Sequence, residues 1–219
     1  MEYGFRMLAI LPIRAGSQRI KNKNIRSVKN KPLFTYIVET LKKVNQIEKI
    51  IINTDYKIIS DIYLGDDKVV VMDRDEKLRG NCNINLVIEQ VIQSYSCEYF
   101  IQTHATNPLL KSITISAAID VFNKKKNNYD SLFSVSKLQK RFWSENLEPI
   151  NHNISDEPTT QNLEPIYEEN SSIYIFSRGS FEMRNNRIGN RPYIFPISKV
   201  EAIDIDHEED FQMVKKLIS

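Results

Sequence analysis

Two stretches of this 219-residue chain carry side chains suited to handling a charged phosphate ligand. The first follows the apolar run Leu8-Ala9-Ile10-Leu11 and contains Gly16 with the cations Arg14, Arg19, Lys21, Lys23 and Arg26. A strand that empties into such a loop is where open α/β sheets hold anions. Ala15, Gly16 and Ser17 are small enough for backbone N–H groups to approach phosphate oxygens, while Lys and Arg side chains neutralise the charge. The second stretch is EAIDIDHEEDF, residues 201–211. Alternate residues of an extended strand share a face, so Asp204 and Asp206 point the same way. Two carboxylates at a strand end suit a divalent cation that phosphates also hold, because magnesium takes one or two protein carboxylates and completes its shell with water and substrate oxygens. Each stretch also has a plainer reading: a solvated basic surface for the loop, and an N-cap of the last helix for Asp206. The loop lacks both G-x-G-x-x-G and G-x-x-x-x-G-K-[ST], which argues against a Rossmann dinucleotide site and a P-loop.

Strands and helices must alternate to hold these stretches. Leu8–Leu11 reads as one buried strand, ended by Pro12, which has no N–H for a ladder. Leu33, Tyr36, Ile37, Thr40, Leu41 and Val44 recur at helical spacing after Pro32. Lys49–Asn53 and Val69–Met72 have the β-branched character of buried parallel strands. Ile84–Ile92 gives a helix, Tyr99–Gln102 a strand, Ile113–Phe122 a helix, and Leu132–Val135 a strand. Ser172–Ser177 and Tyr193–Ile197 follow as strands, and Phe211, Val214 and Ile218 mark a last helix. The order predicts an α/β fold: a mostly parallel sheet covered on both faces, in one domain over 1–219. Residues 136–170 break the pattern with three prolines and the single tryptophan. They read either as an exposed insertion that packs Phe142 and Trp143 on a partner or as a loop folded on its own domain.

Composition excludes several classes. A net charge of +2, with no basic block interleaved with aromatics, argues against a nucleic-acid surface. No stretch approaches the roughly 18 apolar residues of a membrane span, and the N-terminal apolar run is too short for a signal-peptide core. Cys82 and Cys97 stand alone, without C-x-x-C spacing, so a reducing, cytoplasmic setting is expected.

The basic loop resembles the signature of the cytidylyltransferases that activate sialic acids and related keto-sugar acids, which reads roughly P-A-R-x-G-S-K-x-x-x-x-K-N. Pro12, Arg14, Gly16, Ser17, Lys23 and Asn24 fall in register, with Ile13 in place of the alanine and Gln18 in place of the lysine that follows Gly-Ser. The I-D-I-D of residues 203–206, followed by Asp210-Phe211, is similar to that family's C-terminal motif. RDEKLRGN from Arg74 resembles its R-P-x-x-L-A-x-D. QTHATNPLL, residues 102–110, resembles its L-Q-P-T-S-P-L-R, with His104 in place of glutamine, Ala105 of proline and Leu110 of arginine.

The resemblance implies a Rossmann-like, three-layer nucleotidyltransferase fold whose segment 136–170 is a small arm reaching over the other subunit of a homodimer. It also implies transfer of CMP from CTP to the anomeric hydroxyl of a sialic-acid-like 2-keto-3-deoxy sugar acid. Lys23 and Arg14 would be catalytic, and Leu11, Ala15, Gly16, Ser17, Asn24 and Arg74 would bind the nucleotide. Gln102, His104 and Thr106 would contact the substrate, while Asp204 and Asp206 would hold magnesium. The departures lie in the acceptor block, which leaves open a different acceptor such as a phosphorylated small molecule. Two further alternatives are a CTP binder without turnover and a glycosyltransferase, although the latter usually carries its D-x-D in mid-chain.

Overall fold

The computed structural model describes residues 5–156 and 159–218. Strand β1 (Met7–Ile13) leads through a basic loop into the short hairpin β2 (Ser27–Val28) and β3 (Lys31–Pro32), then α1 (Leu33–Lys42). Strand β4 (Ile47–Thr54), α2 (Lys57–Ile62), β5 (Val69–Asp73), α3 (Ile84–Ser94) and β6 (Tyr99–Gln102) follow. The remainder is α4 (Ser112–Lys125), β7 (Ser131–Leu138), β8 (Ile166–Ser177), α5 (Arg178–Arg184), β9 (Pro192–Pro196) and α6 (Glu208–Leu217). Seven strands form one sheet in the order β5-β4-β1-β6-β8-β7-β9. Four of its six pairings are parallel; only those of β8 with β6 and β7 are antiparallel. The α/β, mostly parallel architecture expected from the alternation is the one observed.

The alternation of β1 explains the three layers. Met7, Ala9, Leu11 and Ile13 face one side, where α1 and α4 supply Phe34, Ile37, Val38, Leu41, Ile115, Ala118, Ile119 and Phe122. Leu8 and Ile10 face the other, against Ile88, Val91 and Ile92 of α3 and Phe181 of α5. Six of the seven side chains of β1 are buried, and all of these but Ala9 are large enough to contribute roughly 1.5–3 kcal/mol each. A third cluster joins the chain's two ends: Ile20, Val28 and Leu33 pack on Ile205, Phe211, Val214 and Ile218. Arg26 reinforces it, pairing with Glu208 and lying 4.0 Å from the centroid of the Phe211 ring.

The structure corrects four readings of the sequence. Strand β1 does not stop at Pro12: pairing with β4 continues through Ile13. Ile10 offers its carbonyl to Thr103 on the β6 side, and pairing with β6 ends there. Pro12 faces the same side two residues on, so its missing N–H costs the ladder nothing. Residues 203–206 belong to no strand. The helix that follows is N-capped by His207 in a capping box with Asp210, so Asp206 is not the cap. The segment 136–170 is joined to the sheet at both ends, where Val135–Leu138 of β7 pairs with Ile166–Glu169 of β8.

The parallel strands β5, β4, β1 and β6 bring their carboxyl ends to one edge. The loops after β1, β5 and β6 therefore open beside one another, and the segment 203–206 meets those after β1 and β6.

Candidate active site

The loop after β1 is fixed from three sides. Ala15 donates its N–H to Asp55 Oδ1 at 2.6 Å, and Asn24, buried, donates through Nδ2 to the Arg14 carbonyl at 3.1 Å. Arg14 Nη1 reaches the loop after β5, donating to Gly80 O and Asn81 Oδ1 at 3.2 Å each. Gly16 adopts φ +72° with open space where a Cβ would lie, so conformation rather than crowding calls for glycine there. Ala15 thus spends its N–H on Asp55 in this state, and the loop's positive charge is presented by side chains.

Across the cleft, the segment after β9 is pinned by the loop after β6. Ile205 N donates to Thr106 O at 3.0 Å, and Asn107 Nδ2 to Ile203 O at 3.2 Å. Ile205 is fully buried, which leaves Asp204 and Asp206 on the cleft side, as the expected alternation requires, although no ladder imposes it. Asp206 Oδ1 pairs with Arg19 Nη2 at 2.9 Å and lies 3.4 Å from Lys23 Nζ, which also donates to the Ile205 carbonyl. Asp204 Oδ1 is buried without a hydrogen-bond partner. Burial pushes the Asp204 carboxyl above its ordinary range, and Asp206 adds to this; a hydrogen bond with the Thr106 side chain and the charges of Lys23 and Arg19 oppose it. A buried, unsatisfied carboxylate oxygen beside a second carboxylate fits a cation. Among the described residues no group of three or more acidic, His or Cys ligands could hold one. The protein would therefore supply two carboxylates and leave the other positions to phosphate and water.

Two arginines frame the cleft, both depressed in pKa by burial. Arg74, 4% exposed, follows β5 and donates through Nε to Asn53 Oδ1 at 2.7 Å and through Nη2 to Asn53 O at 3.0 Å. Arg187, between α5 and β9, donates through Nη1 to Gln102 Oε1 at 2.5 Å and lies 3.6 Å from the centroid of the Tyr174 ring. Gln102 Nε2 in turn contacts His104 Nε2 at 2.9 Å and donates to Thr103 O at 2.9 Å. Burial first, then the charges of Arg187 and Lys23, push the His104 pKa down to about 3. The ring is neutral at physiological pH, and with donors gathered at Nε2 its proton sits on Nδ1.

These groups line a cleft of about 500 Å³, a size suited to a nucleotide or drug-sized ligand. Of the residues expected at the site, Arg14, Ser17, Lys23, Asn24, Arg74, His104, Thr106, Asp204 and Asp206 form its wall. Leu11, Ala15, Gly16 and Gln102 do not: Leu11 is sealed in the core and could offer only backbone, and Gln102 sits behind His104 as a brace. Arg19, Asn81 and Arg187 join the wall without having been expected in these places. Arg19 was visible as a loop cation, but its partner Asp206 was not. Arg187 gave only a turn-like N-N-R-I-G context as a signal.

With this geometry in place, likeness to known proteins becomes informative. A family model described as cytidylyltransferase matches residues 8–218. The chain is 29% identical over 228 residues to the CMP-N,N'-diacetyllegionaminic acid synthase of Legionella pneumophila, covering 97% of this chain and 96% of that one. It is 22% identical over 219 residues to the N-acylneuraminate cytidylyltransferase of Streptococcus agalactiae, covering 93% of this chain and 51% of that longer one. The fold is shared with a CMP:2-keto-3-deoxy-manno-octonic acid synthetase solved in complex with CTP, at TM-score 0.68 and 12% identity, covering 97% and 98% of the two chains. The family match spans both halves of the cleft, from the basic loop to the aspartates, and on that match the chain belongs to the cytidylyltransferases, a family of nucleotidyltransferase enzymes.

Proposed function

We propose that the protein transfers CMP from CTP to the anomeric hydroxyl of a sialic-acid-like 2-keto-3-deoxy sugar acid, releasing pyrophosphate. One observation carries this reading. Four cations (Arg14, Arg19, Lys23 and Arg74) and the Asp204–Asp206 pair converge on one cleft, although Lys23 and Asp206 lie 183 positions apart in the chain. The names of the two relatives supply the acceptor class.

The acceptor hydroxyl releases its proton to solvent as its oxygen forms a bond to the α-phosphorus, while the bond from that phosphorus to the oxygen bridging to the β-phosphate breaks. The electron pair leaves with pyrophosphate. Such transfers depend on positioning and charge stabilisation more than on covalent help. Arg14, held against the loop after β5, faces the triphosphate, and Lys23 brings its ammonium between the phosphates and Asp206. Asp204 and Asp206 would hold magnesium, whose chemistry when bound is to neutralise charge on the triphosphate. His104 does not serve as the base, since a ring with a pKa of about 3 takes no proton at neutral pH. Its neutral Nδ1–H is a hydrogen-bond donor for the acceptor. Selection of cytosine falls to backbone groups near the loop after β1.

The segment 139–165 exposes Trp143, Leu147, Ile150 and Ile154, each at least half accessible, which supports a homodimer in which this arm covers a partner subunit. Both cysteines are free, consistent with a cytoplasmic setting. No helix among the described residues is long and apolar enough to cross a membrane.

The test is pyrophosphate release with CTP and magnesium across N-acetylneuraminate, N,N'-diacetyllegionaminate, 2-keto-3-deoxy-manno-octonate and phosphorylated small molecules, with ATP, GTP and UTP as controls. Release should require CTP and one sugar acid and should be lost in Lys23→Ala and Asp206→Ala. CTP binding without release on any acceptor would overturn the proposal.

A further inference from the structure

Arg187 is the one cleft cation that the nucleotide chemistry leaves without a role. It lies on the β6–β8 side of the cleft. Arg14 and Arg74 follow β1 and β5, whereas Arg187 stacks on Tyr174 of β8 and touches Gln102 at the end of β6. Among the described residues no carboxylate lies within 4 Å of it, in contrast to Arg19 and Lys23, which share Asp206. The nearest acid acting on it is Glu169, which is occupied by the Tyr174 hydroxyl. Tyr174 itself is held at a pKa of about 12, chiefly by burial, so its ring supplies no compensating phenolate. Only Nη1 of the guanidinium is engaged, by Gln102 and, at 3.4 Å, by His104 Nε2. The other N–H groups have no protein partner among the described residues.

A partly buried cation without a counter-charge is costly, and a fold that stacks it, braces it and leaves its fork open holds it for an anion. We infer that Arg187 binds the carboxylate of the acceptor, with the His104 ring beside it, and thereby selects a sugar acid over a neutral or phosphorylated acceptor. This rests on the proposed transfer to a sugar acid and names the residue that recognises the acid. The planar guanidinium matches two coplanar carboxylate oxygens. A phosphomonoester would bring a charge of about −1.5 to −2 and three acceptor oxygens, whereas the side chains touching Arg187 here (Gln102, Tyr174 and neutral His104) carry no second cation.

The experiment compares N,N'-diacetyllegionaminate and N-acetylneuraminate with their C1 carboxamides, and with a phosphorylated small molecule, in wild type, Arg187→Gln and Arg187→Lys. CTP affinity and thermal melting are measured on each protein. In Arg187→Gln, KM for the acid should rise about 10- to 150-fold, the loss expected for a charge-assisted pair, with a smaller change in kcat and unchanged CTP affinity. The wild-type preference for acid over carboxamide should collapse towards unity, and Arg187→Lys should recover part of it. Should Arg187→Gln not fold, Arg187→Lys alone decides, because loss of the planar fork must still narrow the preference. Equal slowing of acid and carboxamide, or an intact preference, would overturn this role for Arg187 while leaving the reaction in place. Wild-type release only with the phosphorylated acceptor would overturn the reaction and this inference together.

Discussion

Replacing Arg74 with methionine separates a residue kept for a ligand from one kept for the fold. The guanidinium is almost fully buried and has no carboxylate partner among the described residues; it is held by two hydrogen bonds to Asn53. Removing an unpaired buried cation relieves desolvation, while losing those bonds costs about 1.5–3 kcal/mol each at most. The two effects oppose each other, so the unliganded Tm should move by only a few degrees. The ligand response should change far more. At CTP about one hundred times the wild-type Kd, binding stabilises the fold by about 2.7 kcal/mol, or roughly 5–11 °C for a chain of this size. Loss of one charge-assisted phosphate contact weakens binding by about 10- to 150-fold. At the same CTP concentration the stabilisation then falls to about 0.3–1.4 kcal/mol, a shift of roughly 1–6 °C. Paired melting curves with and without CTP, in wild type and variant, measure both quantities. A variant whose unliganded Tm collapses while its CTP shift stays at the wild-type value would refute the reasoning and make Arg74 a structural cation.

Two other perturbations test the opposite wall. Asp204→Asn should raise the stability of the unliganded protein at neutral pH while abolishing pyrophosphate release. A carboxyl whose pKa is raised by folding opposes the fold once ionised, so the gain in Tm should be largest above that raised pKa. It should vanish below 3.8, the ordinary value, where wild-type Asp204 is protonated in both states; melts across pH 3–8 follow it. His104 is depressed from 6.5 to about 3, so the unfolded chain binds the extra proton and the fold loses stability as pH falls from 6.5 towards 3. His104→Gln should flatten that loss in acid melts yet leave the pH dependence of kcat/KM between pH 6 and 8 unchanged. A pH limb that disappears in the variant would identify His104 as a titrating catalytic group instead.

The elements with strong periodicity were legible in the sequence, and the contacts between distant loops were not. Helices α1 and α3 could be read from residues such as Leu33, Ile37 and Leu41 because one face of each is uniformly apolar. Helices α2 and α5, of six and seven residues, are too short for a period to declare itself. Asp204 and Asp206 could be paired because extended backbone alternates whether or not a ladder holds it. What holds it here, the Thr106 carbonyl, lies nearly a hundred residues away. The strand extension through Pro12 was hidden because a sequence does not tell which side of a strand lacks a neighbour. Arg187 reaches Gln102 across 85 positions only because β8 runs antiparallel beside β6. No local pattern encodes that neighbourhood.

The apolar cluster joining Ile20, Val28 and Leu33 to Ile205, Phe211 and Val214 ties chemical competence to the docking of the segment that follows the sheet. Every strand of the sheet lies before residue 197, so its hydrogen bonding can be complete before the segment carrying Asp206 closes back on Lys23, 183 positions away. Closing a loop of that length is among the slower steps open to a small domain. Until the final helix docks, the basic loop faces solvent without its counter-charge and without half of the cleft. A chain truncated before residue 201 would present an anion-attracting surface with neither carboxylate of the pair, and so could sequester nucleotide without consuming it.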